Sequence, residues 1–144
     1  MGILTNIVAA EEDDLAAIGE SLHPADEWRG IERRGLDAAK IATLHCLLSG
    51  DQFEQVIDAY EPLYVAAEGA LVLRIAEEAA EKLASLDEYA LERVAEELAA
   101  TEEFELALWE VEDALDLVMD LAELARYAEP QGLTLFVWMH PLLT

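Results

Sequence analysis

LTLFVWM, Leu133–Met139, is the stretch on which the fold turns. It favours β structure throughout, carries no charge and does not alternate apolar with polar. It therefore reads as a strand buried on both faces. A second strand signal lies near the start of the chain. Ile3–Ala9 is a short run rich in Ile, Val and Leu, followed by the acidic turn Glu11–Asp14. Most of the chain between them has helical spacing. Two strands framing a set of helices predict an α+β domain, mostly helical, with a small sheet that includes the N- and C-terminal strands.

Working inward, Leu15, Ile18 and Leu22 place a helix over 11–22. The segment 23–35, HPADEWRGIERRG, reads as a loop because of Pro24 and two glycines. A helix is expected from about Leu36 to Leu48, stopped by Ser49-Gly50. Asp51 would cap a further short helix through Tyr60. After Pro62, LYVA reads as a short strand and 69–84 as a long amphipathic helix. Ser85-Leu-Asp-Glu88 has the form of a capping box opening a helix to about Ala100. A last helix should run from about Leu106 to Ala128, stopped by Pro130 and Gly132. Its apolar arc, Leu108, Val111, Leu115, Val118, Leu121, Ala122 and Ala125, is expected to be central to the core. No repeat or linker divides the 144 residues, so 1–144 reads as a single domain.

Charge limits what such a domain can bind. Thirty-two acidic residues face eight basic ones, a net charge of −24. A field of that sign repels nucleic-acid phosphates and anionic membranes, leaving metal cations and basic proteins as charged partners. Cys46 is the lone cysteine, so neither an internal disulfide nor a paired-cysteine metal site is available. No signal-peptide pattern or membrane-length apolar run is read, and the expected location is cytoplasmic, of a bacterial type.

No catalytic set emerges. His45 and Cys46 are neighbours on one helix and diverge, so the histidine cannot act as base to the thiol. Glu20-x-x-His23 has the spacing of a di-iron ligand pair but no second copy. Glu77-Glu78-x-x-Glu81 and Glu110-x-x-Asp113 place carboxylates at i and i+3 on two helices, an arrangement suited to Mg²⁺ or Mn²⁺. This spacing is similar to that of the MazG-type nucleotide pyrophosphohydrolases, which implies Glu78, Glu81, Glu110 and Asp113 as metal ligands in an alternative, enzymatic reading. On the last helix Glu112, Asp113, Asp116, Asp120 and Glu123 form an acidic stripe suited to a basic partner surface. Trp109 beside that stripe is the expected interface aromatic.

Taken over most of its length, the chain resembles the YfbM-like bacterial family of small proteins. The segments that carry the resemblance are the MGI start, GLDAAKIATLHCLLSG (35–50), and PLYVAAEGALVLRIAEEAAEKLASLDEYALE (62–92), with Leu44-His45, Leu47, Leu48 and Gly50 the most specific. Lys40 stands where an aromatic is common in that family. The resemblance implies an α+β fold without an established activity. If the family carries a ligand site, the residues expected in it here are Trp28, Arg29, Asp37, His45, Tyr64 and His140. The favoured reading is a non-enzymatic, immunity- or antitoxin-like interaction domain that uses no cofactor. Mg²⁺ or Mn²⁺ belongs only to the alternative.

Overall fold

The computed structural model describes residues 3–141. Met1 and Gly2 of the MGI start and Leu142–Thr144 of the closing segment lie outside them.

Two uncharged strands, β1 (Leu4–Ala10) and β5 (Thr134–His140), form the middle of the sheet as an antiparallel ladder running from Leu4↔His140 to Ala10↔Thr134. β2 (Gly30–Arg34) flanks β1 on one side. β4 (Leu71–Arg74) flanks β5 on the other, with the two-residue β3 (Tyr64–Val65) outermost. The order is β2-β1-β5-β4-β3, all antiparallel. Interior strands with both faces covered need uncharged, mostly apolar sequence, and these two have it. The two buried polar residues of β1 are each satisfied. The Thr5 hydroxyl donates to the Leu36 carbonyl at 2.6 Å, and Asn6 Oδ1 accepts from the Ala25 N–H at 2.9 Å.

Most helices cover one face. α3 (Ala38–Ser49), α4 (Phe53–Val56), α5 (Glu77–Ser85), α6 (Glu88–Ala99), α7 (Glu102–Leu106) and α8 (Val111–Ala128) contribute Ile41, Val56, Leu83, Leu98, Phe104 and Leu121 to one core with Ile7, Leu135 and Val137. A thin layer of α1 (Leu15–Glu20) and α2 (Pro24–Glu27) covers the other face, where Ile18 meets Val8, Val72, Phe136 and Trp138.

The α+β reading holds, with five differences in detail. The expected loop 23–35 contains α2 and β2; Gly30 passes so close to β1 that an added Cβ would lie 2.2 Å from the Ile7 carbonyl oxygen. The expected helix 69–84 begins as strand β4, because a short apolar run such as LVLR fits either state and the open side of β5 selects the strand. Gln52 rather than Asp51 occupies the N-cap position of α4, without a side-chain capping bond. Asp87, not Ser85, caps α6 by accepting the Ala90 N–H, while the Ser85 hydroxyl donates to the Lys82 carbonyl. The expected helix 106–128 begins only at Val111, as α8, and a turn at Leu108, whose φ is 63°, separates it from α7. In consequence Leu108 and Val111 leave the core arc, while Val118, Leu121, Ala122 and Ala125 keep it.

The close approach at Gly30 gives a test. Gly30→Ala should lower stability by about 1–3 kcal/mol, since backbone atoms must move to admit the methyl group. An unchanged urea midpoint would show that β2 shifts freely against β1.

Candidate functional site

The acidic face is assembled by α7, α8 and the turn between them. Phe104 is fully buried and anchors α7, and Trp109 stacks edge-on against it with ring centroids 5.1 Å apart. Between these anchors the chain reverses through Leu108 in the left-handed region. Its N–H bonds the Glu105 carbonyl at 3.0 Å, and that of Trp109 bonds the Phe104 carbonyl at 3.0 Å. The turn throws apolar side chains outward: Leu108 is 86% exposed, Leu106 76% and Val111 46%. Residues 101–120 carry eight carboxylates and no base, and Glu102, Glu103, Glu105, Glu110, Glu112, Asp113 and Asp116 are exposed around the turn.

Within the stripe on α8, two carboxylates have local duties. Asp113 accepts the Glu110 N–H at 3.1 Å, completing a reciprocal box in which the Glu110 side chain takes the N3 N–H. Asp120 is ion-paired with Arg33 of β2, whose side chain also lines a small depression with Trp109, Asp113 and Asp116. Partly exposed pairs of this kind are worth about 0–1 kcal/mol. Glu112, Asp116 and Glu123 remain exposed on the same side of the helix.

The four carboxylates of the alternative reading are not brought together. Glu110 and Asp113 open α8, and their i,i+3 spacing serves that helix start. Arg126 lies about 20 Å further along the α8 axis, and it is there that α8 meets the end of α5, donating to the Ala84 carbonyl at 3.1 Å and to that of Leu86. Glu81 lines a cavity of about 540 Å³ with Arg74, Ile75, Glu77, Ala125 and Leu135, a concavity the sequence did not disclose. Glu78 faces His45 instead.

The six residues expected at a ligand site are divided by the sheet. Trp28 and Tyr64 pack with the α1/α2 layer. The Tyr64 hydroxyl donates to Glu20 at 2.6 Å, which pushes its own phenol pKa up. Its ring lies so close to Gly19 that a Cβ there would be 2.2 Å away. His140 is buried on the same side, edge-on to Trp138 at 5.7 Å. On the opposite face Arg29 lies 4.5 Å over the Tyr127 ring, and Asp37 caps α3 by accepting the Lys40 N–H at 3.0 Å. His45 is also there, 5% exposed. One common site is therefore not formed.

His45 nevertheless has a defined setting. Its Nδ1 is 2.8 Å from the Tyr60 hydroxyl, which accepts the Ala76 N–H at 3.2 Å. Its Nε2 is 3.7 Å from Glu78 Oε2. One ligating atom from each of His45, Asp51 and Glu78 lies within 4.8 Å of the others, the one such trio among the described residues. Burial, then Asp51 and Glu54, pushes the neighbouring Cys46 thiol pKa up, away from a reactive thiolate.

Comparison with protein-family models, with curated proteins and with solved structures finds no match to this chain.

Tyr60 holds the His45 setting together, so Tyr60→Phe should cost about 1–2 kcal/mol by leaving the partly buried Ala76 N–H without this partner. Burial, opposed by that N–H, pushes the Tyr60 phenol up to about 12. A folded pKa above the unfolded value of about 10 means that the stabilisation is complete below pH 10 and lost as pH rises toward 12. The gap between wild type and Tyr60→Phe should narrow over that interval in urea titrations. A constant gap would disconnect the phenol from alkaline unfolding.

Proposed function

We propose that this chain is a small acidic YfbM-like protein, cytoplasmic and non-enzymatic, that binds a basic protein partner at the α7–α8 turn in the manner of immunity or antitoxin proteins. The observation that carries the reading is Leu108, an apolar side chain displayed in a left-handed turn amid carboxylates. A β-carbon at positive φ costs roughly 1–2 kcal/mol, and an exposed leucine recovers none of it by burial. Folding alone does not ask for leucine at this position. Binding does: apolar anchors inside a charged rim are the usual layout of a contact patch, with the rim steering the encounter and the centre holding it. Trp109, half-buried behind the turn, gives the patch a rigid floor.

An amphipathic Lys/Leu helical peptide is a suitable probe, titrated into isotopically labelled protein and followed by amide chemical shifts. Shifts should concentrate at 102–116, weaken as KCl is raised, and largely disappear in a Leu106→Ser/Leu108→Ser variant. Tyr89→Ser, which removes another exposed apolar side chain, should bind as wild type does. Shifts spread evenly over every acidic surface would overturn the reading. Leu108→Gly should weaken peptide binding while leaving thermal stability equal or higher by up to about 1 kcal/mol. A clear loss of stability would make Leu108 a structural residue.

A further inference from the structure

We propose that His45, Asp51 and Glu78 bind a divalent transition-metal cation of the zinc type. This site lies away from the α7–α8 turn and does not depend on the function proposed for it.

Three separate backbone features converge on the position. α3 supplies His45 from its third turn. Gly50, with φ 83°, then ends the helix and reverses the chain, its N–H bonding the Cys46 carbonyl at 2.8 Å. The reversal brings Asp51 back beside the residue six positions before it, and the Asp51 N–H is held by the Ser49 hydroxyl at 3.1 Å. Glu78 comes from the first turn of α5, which is tied to the same place by the Ala76 N–H on Tyr60.

The histidine is prepared as a ligand. Its Nδ1 is engaged by Tyr60, which fixes the ring and leaves Nε2 as the atom facing the carboxylates. Metal-bound imidazoles are ordinarily held this way by a hydrogen bond to the other ring nitrogen. The fixed member of the trio is buried, and both carboxylates are exposed. Bond lengths of about 2.0–2.2 Å place ligand atoms roughly 3.3–3.6 Å apart in a tetrahedral site. The present 4.8 Å envelope lies about 1.5 Å outside that spacing.

Charge and donor type select the occupant. Among the described residues no lysine or arginine is ion-paired with Asp51 or Glu78, so the pair of carboxylates faces the imidazole without a counter-cation. A nitrogen donor with two oxygens favours Zn²⁺, Co²⁺ or Ni²⁺ over Mg²⁺ and Ca²⁺, which prefer oxygen shells. Three protein ligands leave a fourth position to water. Bound there, the ion joins α3, its following turn and the start of α5.

The test is calorimetric titration of the full chain with ZnCl₂ and with MgCl₂ at constant ionic strength. Wild type should take up one Zn²⁺ per chain, at least tenfold more tightly than Mg²⁺. Asp51→Asn and Glu78→Gln, both at exposed positions, should each lose at least tenfold in Zn²⁺ affinity. Glu92→Gln, which removes the same charge from the exposed side of α6, should lose none. CoCl₂ should give a visible absorption band in wild type that both site variants lack. Equal response to Zn²⁺ and Mg²⁺, or equal loss in all three variants, would reduce the effect to the diffuse acidic field and overturn the site. Loss of binding in Cys46→Ala would also overturn it, by making the thiol the ligand.

Discussion

The ladder between β1 and β5 is the constraint from which the rest of the molecule follows. Both strands are interior to the sheet, with β2 and β4 outside them, so neither has a face or an edge left for water. Helices must then cover both sides, and the register decides what they meet. Ile7, Ala9, Leu135 and Val137 point into the thick helical layer, while Val8, Phe136 and Trp138 point to α1 and α2. A slip of one residue would exchange the two sets. Thr5 and Asn6 oppose that slip, because each has a partner on its own side only: the Leu36 carbonyl for one, the Ala25 N–H for the other.

The same ladder shows how far the sequence could be read. LTLFVWM and ILTNIVA are unambiguous because a doubly buried strand tolerates no charge, and their sequences contain none. The end of α3 is legible, since Gly50 suits a left-handed stop; its start is not, because Asp37 caps the helix and α3 begins at Ala38 rather than about Leu36. Nor are β2 and β4. GIERR carries three charges, and LVLR is too short to distinguish two periods; each becomes a strand because a neighbouring strand has an open side. The break before α8 was hidden because it is made by Leu108, which has no turn preference, instead of by glycine or proline.

The candidate sites follow the same division. The acidic stripe on α8 could be read from a 3.6-residue period, since it belongs to one helix. His45 could be noticed but not interpreted, because its neighbours come from the turn after α3, from Tyr60 and from α5, and no local spacing connects them. The basic residues are used sparingly in a chain of charge −24. Arg33 answers Asp120, Arg74 bonds Glu12 at 2.7 Å, and Arg126 closes the carbonyl end of α5. β2 sits at the edge of the sheet with Glu32, Arg33 and Arg34 along it, charges that discourage another strand from adding there.

The placement of β5 has a consequence for the order of events during synthesis. Its partner β1 lies about 130 residues upstream, a separation that makes strand pairing slow relative to local helix formation. At ribosomal rates the interval between the emergence of the two strands is on the order of ten seconds. In that time β1 can fold back on β2 and shelter one flank under α1 and α2, but its other edge stays open until the final strand arrives. A nascent chain halted in that interval presents an uncharged, unpaired strand edge, the feature chaperones bind and aggregates grow from. Closure of the sheet thus waits on β5, the later-made partner of the central ladder.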